Sequence, residues 1–462
     1  MYIKQNNMKT SSARAVMTIF AMTAFSFILS AQNSLHGTWH GALSIPGGEL
    51  TIVLHIDQSG CAMDSPDQGA YGIPAEMKEL TDSKVSVEVP SIGAGFEGNL
   101  MFGLLVGRFR QSGMEFPMSL KRGEPVRNRP QMPTGPFPYT CEDITFTNPE
   151  DGAVLSGTLI TPDGYGSHTP IVLFVTGSGI QNRDEELFGH KPFLVIADHL
   201  ARNGIASLRY DDRSCGKSTG DVSMATTDTF MKDAAAGIDF IRSLNRYGKV
   251  GVIGHSEGGT IAFMLAGEGK ADFIVSLAGT AVNGIEILVE QNRRLLSGSG
   301  IPETIVNDYC TALQKTYAHR VVEYLNGIGT DDNPEKTVDM LLSSAEINLP
   351  AELEGNLADV IRAINPWIMR FLILDPAEWI RKITCPVMAL NGEKDIQVIA
   401  GTNLSRLNEL LPESCRHSIK AYPDLNHLFQ HCSTGMPDEY GKIEETISKE
   451  VLSDITDWIT AL

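Results

Sequence analysis

Positive charge is scarce in this chain of 462 residues: 37 lysines and arginines face 56 aspartates and glutamates, for a formal net charge of −19. Such a surface repels polyphosphates and anionic bilayers, which excludes nucleic acid as a partner. Cysteine is sparse and unpatterned. There are seven, an odd number, with no C-x-x-C and no zinc-type spacing, so neither a disulfide-stapled fold nor a structural metal site is expected. Spacing does not fix a pairing. Cys415 with Cys432 is the one bridge to consider, and burial of the cysteines as small hydrophobes is the preferred reading. Aromatics make up 7 %, and the N-terminal part carries no aromatic stripe of the kind that binds glycans; Trp39 reads as core. Long hydrophobic runs are missing as well, with one exception. Ala15 to Leu29 is apolar and follows Lys4, Lys9 and Arg14, which is the pattern of a signal peptide and too short for a comfortable membrane span. Ala31 suits the last residue before cleavage, although Leu29 fits the small-residue rule poorly. Residues 1–31 are therefore expected to direct export to the periplasm or beyond. No stable membrane insertion should remain after their removal, and no cysteine follows to take a lipid anchor. Losing three positive and no negative charges takes the net from −19 to about −22.

The rest of the chain changes character twice. Residues 33–122 alternate apolar and polar positions between Gly, Asp, Pro and Ser, as in "GELTIVLHID", "SKVSVEVP" and "LLVGRFRQ". That predicts short antiparallel strands and a small β domain. Prolines 125, 130, 133, 136 and 138 mark residues 123–140 as a stiff linker. From about residue 141 to 462, nearly all-apolar runs ("IVLFVTG", "IASLRYD", "KVGVIGH", "DFIVSLAG", "CPVMALNG", "HSIKAYP") alternate with helical patterns. Strands buried on both faces and separated by helices imply a mostly parallel sheet flanked by helices, an α/β class fold. Between residues 284 and 380 the strands stop and helical patterns continue, which predicts a helical cap inserted over the strand ends, where open α/β sheets bind ligands.

The pattern G-x-S-x-G occurs twice, at Gly254–Ser256–Gly258 and at Gly216–Ser218–Gly220. Ser256 follows a β-rich run and precedes "EGGTIAFMLAG", a helical run. A strand-to-helix turn that sharp needs small flanking residues and thrusts the serine hydroxyl outward, so Ser256 is the expected nucleophile. Ser218 follows "YDDRSC" and precedes a polar loop. A phosphate-binding reading of it fails, because Asp211 stands where the first glycine belongs. A serine needs a base and an acid, here in the order serine, acid, histidine. Asp395, past the turn glycine of "NGEKDIQV", is the preferred acid over Glu393. His427 in "YPDLNHLFQHC" is the preferred base over His431, while His417 reads as a strand residue. For the oxyanion, the amide of Glu257 and that of Ser178 are expected, with Gly179 next to it in the glycine-rich loop "VTGSGIQNRDEE".

The stretches "GSGIQNRDE", "GHKPFLVIADHLARNGIASLRYDDR", "GHSEGG", "NGEKDIQV" and "DLNHLFQ" resemble the α/β-hydrolase superfamily, and more narrowly bacterial exported carboxylesterases with a small N-terminal β domain. The resemblance spans roughly residues 140–460. It implies a triad of Ser256, Asp395 and His427, an oxyanion turn at Gly177 and Ser178, and hydrolysis of small-molecule carboxylic esters; the short cap and the lack of a long apolar track point to short to medium acyl groups. It implies no cofactor or metal. The runner-up is a serine peptidase or aminopeptidase on short peptides, for which Glu185 and Glu186 would hold the peptide amine. A third reading is a binding protein on a dead hydrolase fold, which the complete set of triad residues disfavours. Oligomeric state is not legible.

Overall fold

The computed structural model describes residues 35–45, 48–57, 60–68, 70–125, 128–328 and 333–462; the expected signal peptide lies outside them. The chain divides into two compact units, residues 1–128 and 129–462.

In the first unit, eight antiparallel strands close into a barrel in up-and-down order: β1 (Gly37–Ile45), β2 (Gly48–Ile56), β3 (Cys61–Ser65), β4 (Ala70–Leu80), β5 (Lys84–Val89), β6 (Ala94–Met101), β7 (Leu104–Gln111) and β8 (Met114–Arg122). Closure pairs Trp39 with Arg122 and His40 with Lys121. The tight returns come from Phe102–Gly103 and Ser112–Gly113, all four at positive φ (52°, 82°, 50° and 77°), the turn geometry that matches the twist of paired strands. In β5 the valines at 85, 87 and 89 are buried while the residues between them are half-buried. Eight strands leave an interior that side chains can fill, and Trp39, Phe96 and Phe109 occupy it. Trp39 is core, its indole N–H donating to the Leu35 carbonyl at 2.9 Å.

The second unit is built on an eight-stranded sheet of β9 (Tyr139–Thr147), β10 (Val154–Pro162), β11 (Ile171–Val175), β12 (Ala206–Tyr210), β13 (Val250–His255), β14 (Phe273–Leu277), β15 (Val387–Gly392) and β16 (His417–Tyr422), in the order 16-15-14-13-11-12-10-9. Strands β11 to β16 are parallel; β9 and β10 form an antiparallel edge pair. The helices before the cap are α1 (Pro192–Arg202), α2 (Thr227–Ser243) and α3 (Glu257–Gly267). Residues 284–380 then contribute α4 (Gly284–Gly298), α5 (Glu303–Leu325), α6 (Pro334–Ala345), α7 (Ala351–Ala363), α8 (Pro366–Ile373) and α9 (Ala377–Ile380). After β15 come α10 (Ala400–Leu410), α11 (Pro437–Tyr440) and α12 (Lys449–Thr460). Helices α1 and α12 cover one face of the sheet, α2, α3 and α10 the other. The insertion keeps a core of its own around Val306, Tyr309, Leu313 and Leu357.

Two features depart from the sequence reading. The proline-rich stretch is not a free spacer throughout. From residue 129 it belongs to the second unit, where the Arg129 guanidinium donates to the carbonyls of Phe188, Gly441 and Ile443, each at 3.0 Å, and β9 starts at Tyr139. All seven cysteines are free. Cys415 is buried with its Sγ directed to the Cys385 carbonyl at 3.3 Å, so the Cys415–Cys432 bridge does not exist. Burial as small hydrophobes holds for Cys310 and Cys415, whereas Cys141 is exposed.

Candidate active site

Ser256 stands between the end of β13 and the start of α3, at φ 54° and ψ −119°. A non-glycine residue there is strained and persists because its neighbours over-determine it. The Ser256 amide donates to the Leu277 carbonyl at 2.8 Å, and its carbonyl accepts from the Gly259 amide at 2.9 Å. The flanking glycines are steric necessities. A Cβ on Gly254 would fall 1.9 Å from the Gly258 oxygen, and one on Gly258 would fall 2.1 Å from the Val175 oxygen. The second pattern has no such turn. Ser218 is loop, its hydroxyl donating to the Asp211 carbonyl and accepting from the Ser156 amide, both at 2.8 Å.

Asp395 and His427 meet. The Nδ1 of His427 is 2.7 Å from Oδ2 of Asp395, and both residues are buried. The other carboxylate oxygen accepts the amides of Gln397 (2.7 Å) and Val398 (2.9 Å), which fixes its direction. Asn426 braces the histidine loop, its Oδ1 taking the amides of Leu428 and Gln430 at 3.0 Å each. Ser256 and His427 line one cavity of about 380 Å³ with Gly177 and Ser178, walled by Phe188, Leu288, Trp367, Phe371, Leu428 and Tyr440. The rival candidates are engaged elsewhere. Glu393 is exposed, His431 bonds Glu445 at 2.8 Å, and His417 bonds the Cys415 carbonyl at 2.9 Å.

Among the described residues, the amides of Ser178, Gly179 and Glu257 donate to no protein group, whereas that of Gly177 is taken by Glu185 Oε1 at 2.8 Å. The unpartnered donors are thus the ones expected to face an oxyanion. Their loop is tied down by the segment after β12. Asp212 accepts the Gln181 amide and the Thr176 hydroxyl, at 2.8 and 2.9 Å, and Asp211 accepts the Arg183 amide at 2.8 Å. Burial pushes the Asp212 carboxyl up to about 8, against those hydrogen bonds.

Sequence reasoning used Glu257 for its amide and missed its side chain. That carboxyl is buried, accepts from the Thr227 hydroxyl at 2.6 Å and from the indole N–H of Trp367 in the cap at 2.9 Å, and is raised by burial. Glu185 and Glu186 do not form an open carboxylate cluster. Glu185 is 1 % exposed and committed to Gly177 and His255, and Glu186 pairs with Lys191 at 3.2 Å. Among the described residues, no group of three His, Cys, Asp or Glu side chains is arranged to hold a metal, and no helix is long and apolar enough to cross a membrane.

Residues 192–297 match the family described as serine aminopeptidase, S33. Esterase EstD of Thermotoga maritima is 26 % identical over 327 residues, covering 70 % of this chain and 68 % of that one. Similar solved structures include Est1E of Butyrivibrio proteoclasticus with ferulic acid bound (TM-score 0.40, 16 % identity, 69 % of this chain and 98 % of that one). Another is esterase Pf2001 of Pyrococcus furiosus (TM-score 0.41, 16 % identity, 74 % and 99 %).

Proposed function

We propose that this chain, a member of the α/β-hydrolase superfamily, hydrolyses small carboxylic esters through an acyl-enzyme on Ser256. The observation that carries the reading is the bond from His427 to Asp395, with His427 opening onto the same cavity as a serine on a strained strand-to-helix turn. His427 takes the Ser256 proton and returns it to the leaving alcohol, and Asp395 holds the ring in the tautomer that allows this and stabilises its charged form. The amides of Ser178 and Glu257 receive the developing oxyanion. The similarity to an esterase points the same way.

The cavity also speaks to the substrate. Its walls are mainly apolar and aromatic, with Gln181, Gln291 and Gln397 among them, and the one carboxylate lining it, Glu185, is already bonded to His255 and Gly177. The lining holds no uncommitted carboxylate for a peptide ammonium group, which disfavours an aminopeptidase, and about 380 Å³ suits a short to medium acyl group. We infer export by residues 1–31, to be checked from the N-terminus of the protein recovered outside the cytoplasm. The test of function is initial rates on p-nitrophenyl acetate, butyrate and octanoate beside an aminoacyl-p-nitroanilide. Ester turnover falling from butyrate to octanoate is expected. Preference for the anilide would replace this reading with the peptidase.

A further inference from the structure

Beneath the triad lies a second histidine–carboxylate pair that the reaction itself does not use. His255, the residue before the nucleophile, has its Nε2 2.9 Å from the carbonyl oxygen of His427 and its Nδ1 2.9 Å from Oε1 of Glu185. The same Oε1 accepts the Gly177 amide. Gly177 abuts the nucleophile, since a Cβ there would lie 3.2 Å from the Cβ of Ser256. The rings of His255 and His427 lie 4.6 Å apart. Glu185 sits at φ 51°, a conformation a non-glycine residue keeps only where its surroundings hold it. Two buried side chains thus reach the oxyanion turn, the nucleophile turn and the base loop at once.

Hydrogen-bond chemistry sets the number of protons. A carbonyl only accepts, so Nε2 of His255 carries a proton. A hydrogen bond between Nδ1 and Oε1 needs a further proton, on the nitrogen or on the carboxyl. The pair therefore holds one proton more than a neutral imidazole beside a carboxylate. Burial favours a neutral imidazole, but the charge and hydrogen bond of Glu185 outweigh it and hold the pKa of His255 above its ordinary value. The other titratable groups facing the pair are His427 and Asp395 on one side and Asp212 behind Glu185. Apolar Phe193, Ile196, Leu277 and Phe429 close the remainder.

We propose that Glu185 and His255 are a proton-sharing positioning pair that sets the oxyanion turn and the base loop against the nucleophile, an inference that rests on the serine-hydrolase reading above. Loss of the shared proton brings the lone pairs of Nδ1 and Oε1 face to face and releases both anchors. Activity should therefore fall at alkaline pH through the pair, separately from the acid limb set by the catalytic base.

Three variants separate the anchors. In Glu185→Gln, one amide oxygen cannot satisfy both Gly177 and an unprotonated Nδ1, and turning the amide to serve the ring sets its NH₂ against the Gly177 N–H. His255→Asn keeps a donor near Glu185 and gives up the His427 carbonyl. His255→Gln keeps the carbonyl and gives up Glu185. Circular dichroism melts identify the variants that fold. The primary readout is the rate of Ser256 phosphonylation by a fluorophosphonate, split into affinity and maximal rate across pH, which needs no knowledge of the natural substrate. Each folded variant is expected to lose about 10²-fold in maximal rate, the scale of an ångström of misplacement, with affinity little changed. The alkaline limb should vanish in His255→Gln. A folded Glu185→Gln, or either folded His255 variant, with wild-type maximal rate and pH profile overturns the proposal. Failure of all three to fold also overturns it, since the pair would then be a requirement of the fold alone. A wild type that is phosphonylated normally but cleaves no ester contradicts the proposed function and leaves this test intact.

Discussion

Ser256 and Ser218 occupy the same five-residue pattern in one chain, and the structure treats them differently at every level. Ser256 ends a parallel strand buried on both faces, holds a positive φ, and opens onto a cavity that it shares with His427. Ser218 lies in the loop after β12, is 8 % exposed, and spends its hydroxyl on two backbone groups. The glycines differ likewise. A side chain on Gly258 would collide with the Val175 backbone, whereas at Gly216 the nearest obstacle is a side chain, the Asp211 carboxylate. On the proposed reading, the strand-to-helix turn that strains and presents Ser256 marks the nucleophile, and the letters of the motif are a by-product of that turn.

The largest expected effect breaks the symmetry of the two serines. Ser256→Ala should lower kcat by roughly 10⁶-fold, the scale for loss of a triad nucleophile. Ser218→Ala should leave kcat/KM nearly unchanged and instead lower the unfolding midpoint. The Ser156 amide and Asp211 carbonyl would then be left unpaired, at about 1–3 kcal/mol. Comparable kinetics in the two variants would erase the distinction. Next in size, Asp395→Asn should cost about 10⁴-fold in kcat with KM little altered, because the ring loses the group that selects its tautomer. A loss of tenfold or less would mean that another carboxylate serves His427. The smallest effect concerns pH and stability. The Asp212 carboxyl is raised from an ordinary value near 4 to about 8, so its contribution is full below about pH 4 and is lost as pH rises towards 8. Between those limits the unfolding midpoint of the wild type should fall more steeply than that of Asp212→Asn, and parallel curves would contradict the assignment.

The turn at Ser256 and the positions of Asp395 and His427, the proposed acid and base, were legible because each lies at the end of a strand whose apolar run stands out, and because glycine marks the turns. The edge pair β9–β10 was not: β9 alternates with exposed polar residues and resembles the loop it follows. Three runs announced a β domain, but the other strands of the barrel were not singled out; in β4 Ile73, Ala75 and Met77 alternate and pack on the barrel core, yet every residue is exposed or half-buried and the interposed Gly72 and Pro74 weaken the pattern. The parts of the site that escaped are contacts across long sequence separations. Glu185 meets His255 and Trp367 meets Glu257 only once the sheet and cap are assembled. Glu185 reads in the sequence only as a holder of a peptide amine, and its complementarity to His255 is visible only in three dimensions.

The central claim is that position 256, and no other serine, is the nucleophile. Treating the wild-type protein with a fluorophosphonate and mapping the adduct by peptide mass spectrometry tests it directly. The account predicts one phosphonate per chain, on the peptide containing Ser256, formed in step with loss of ester turnover. An adduct on Ser218, or full inactivation with Ser256 unmodified, would contradict it.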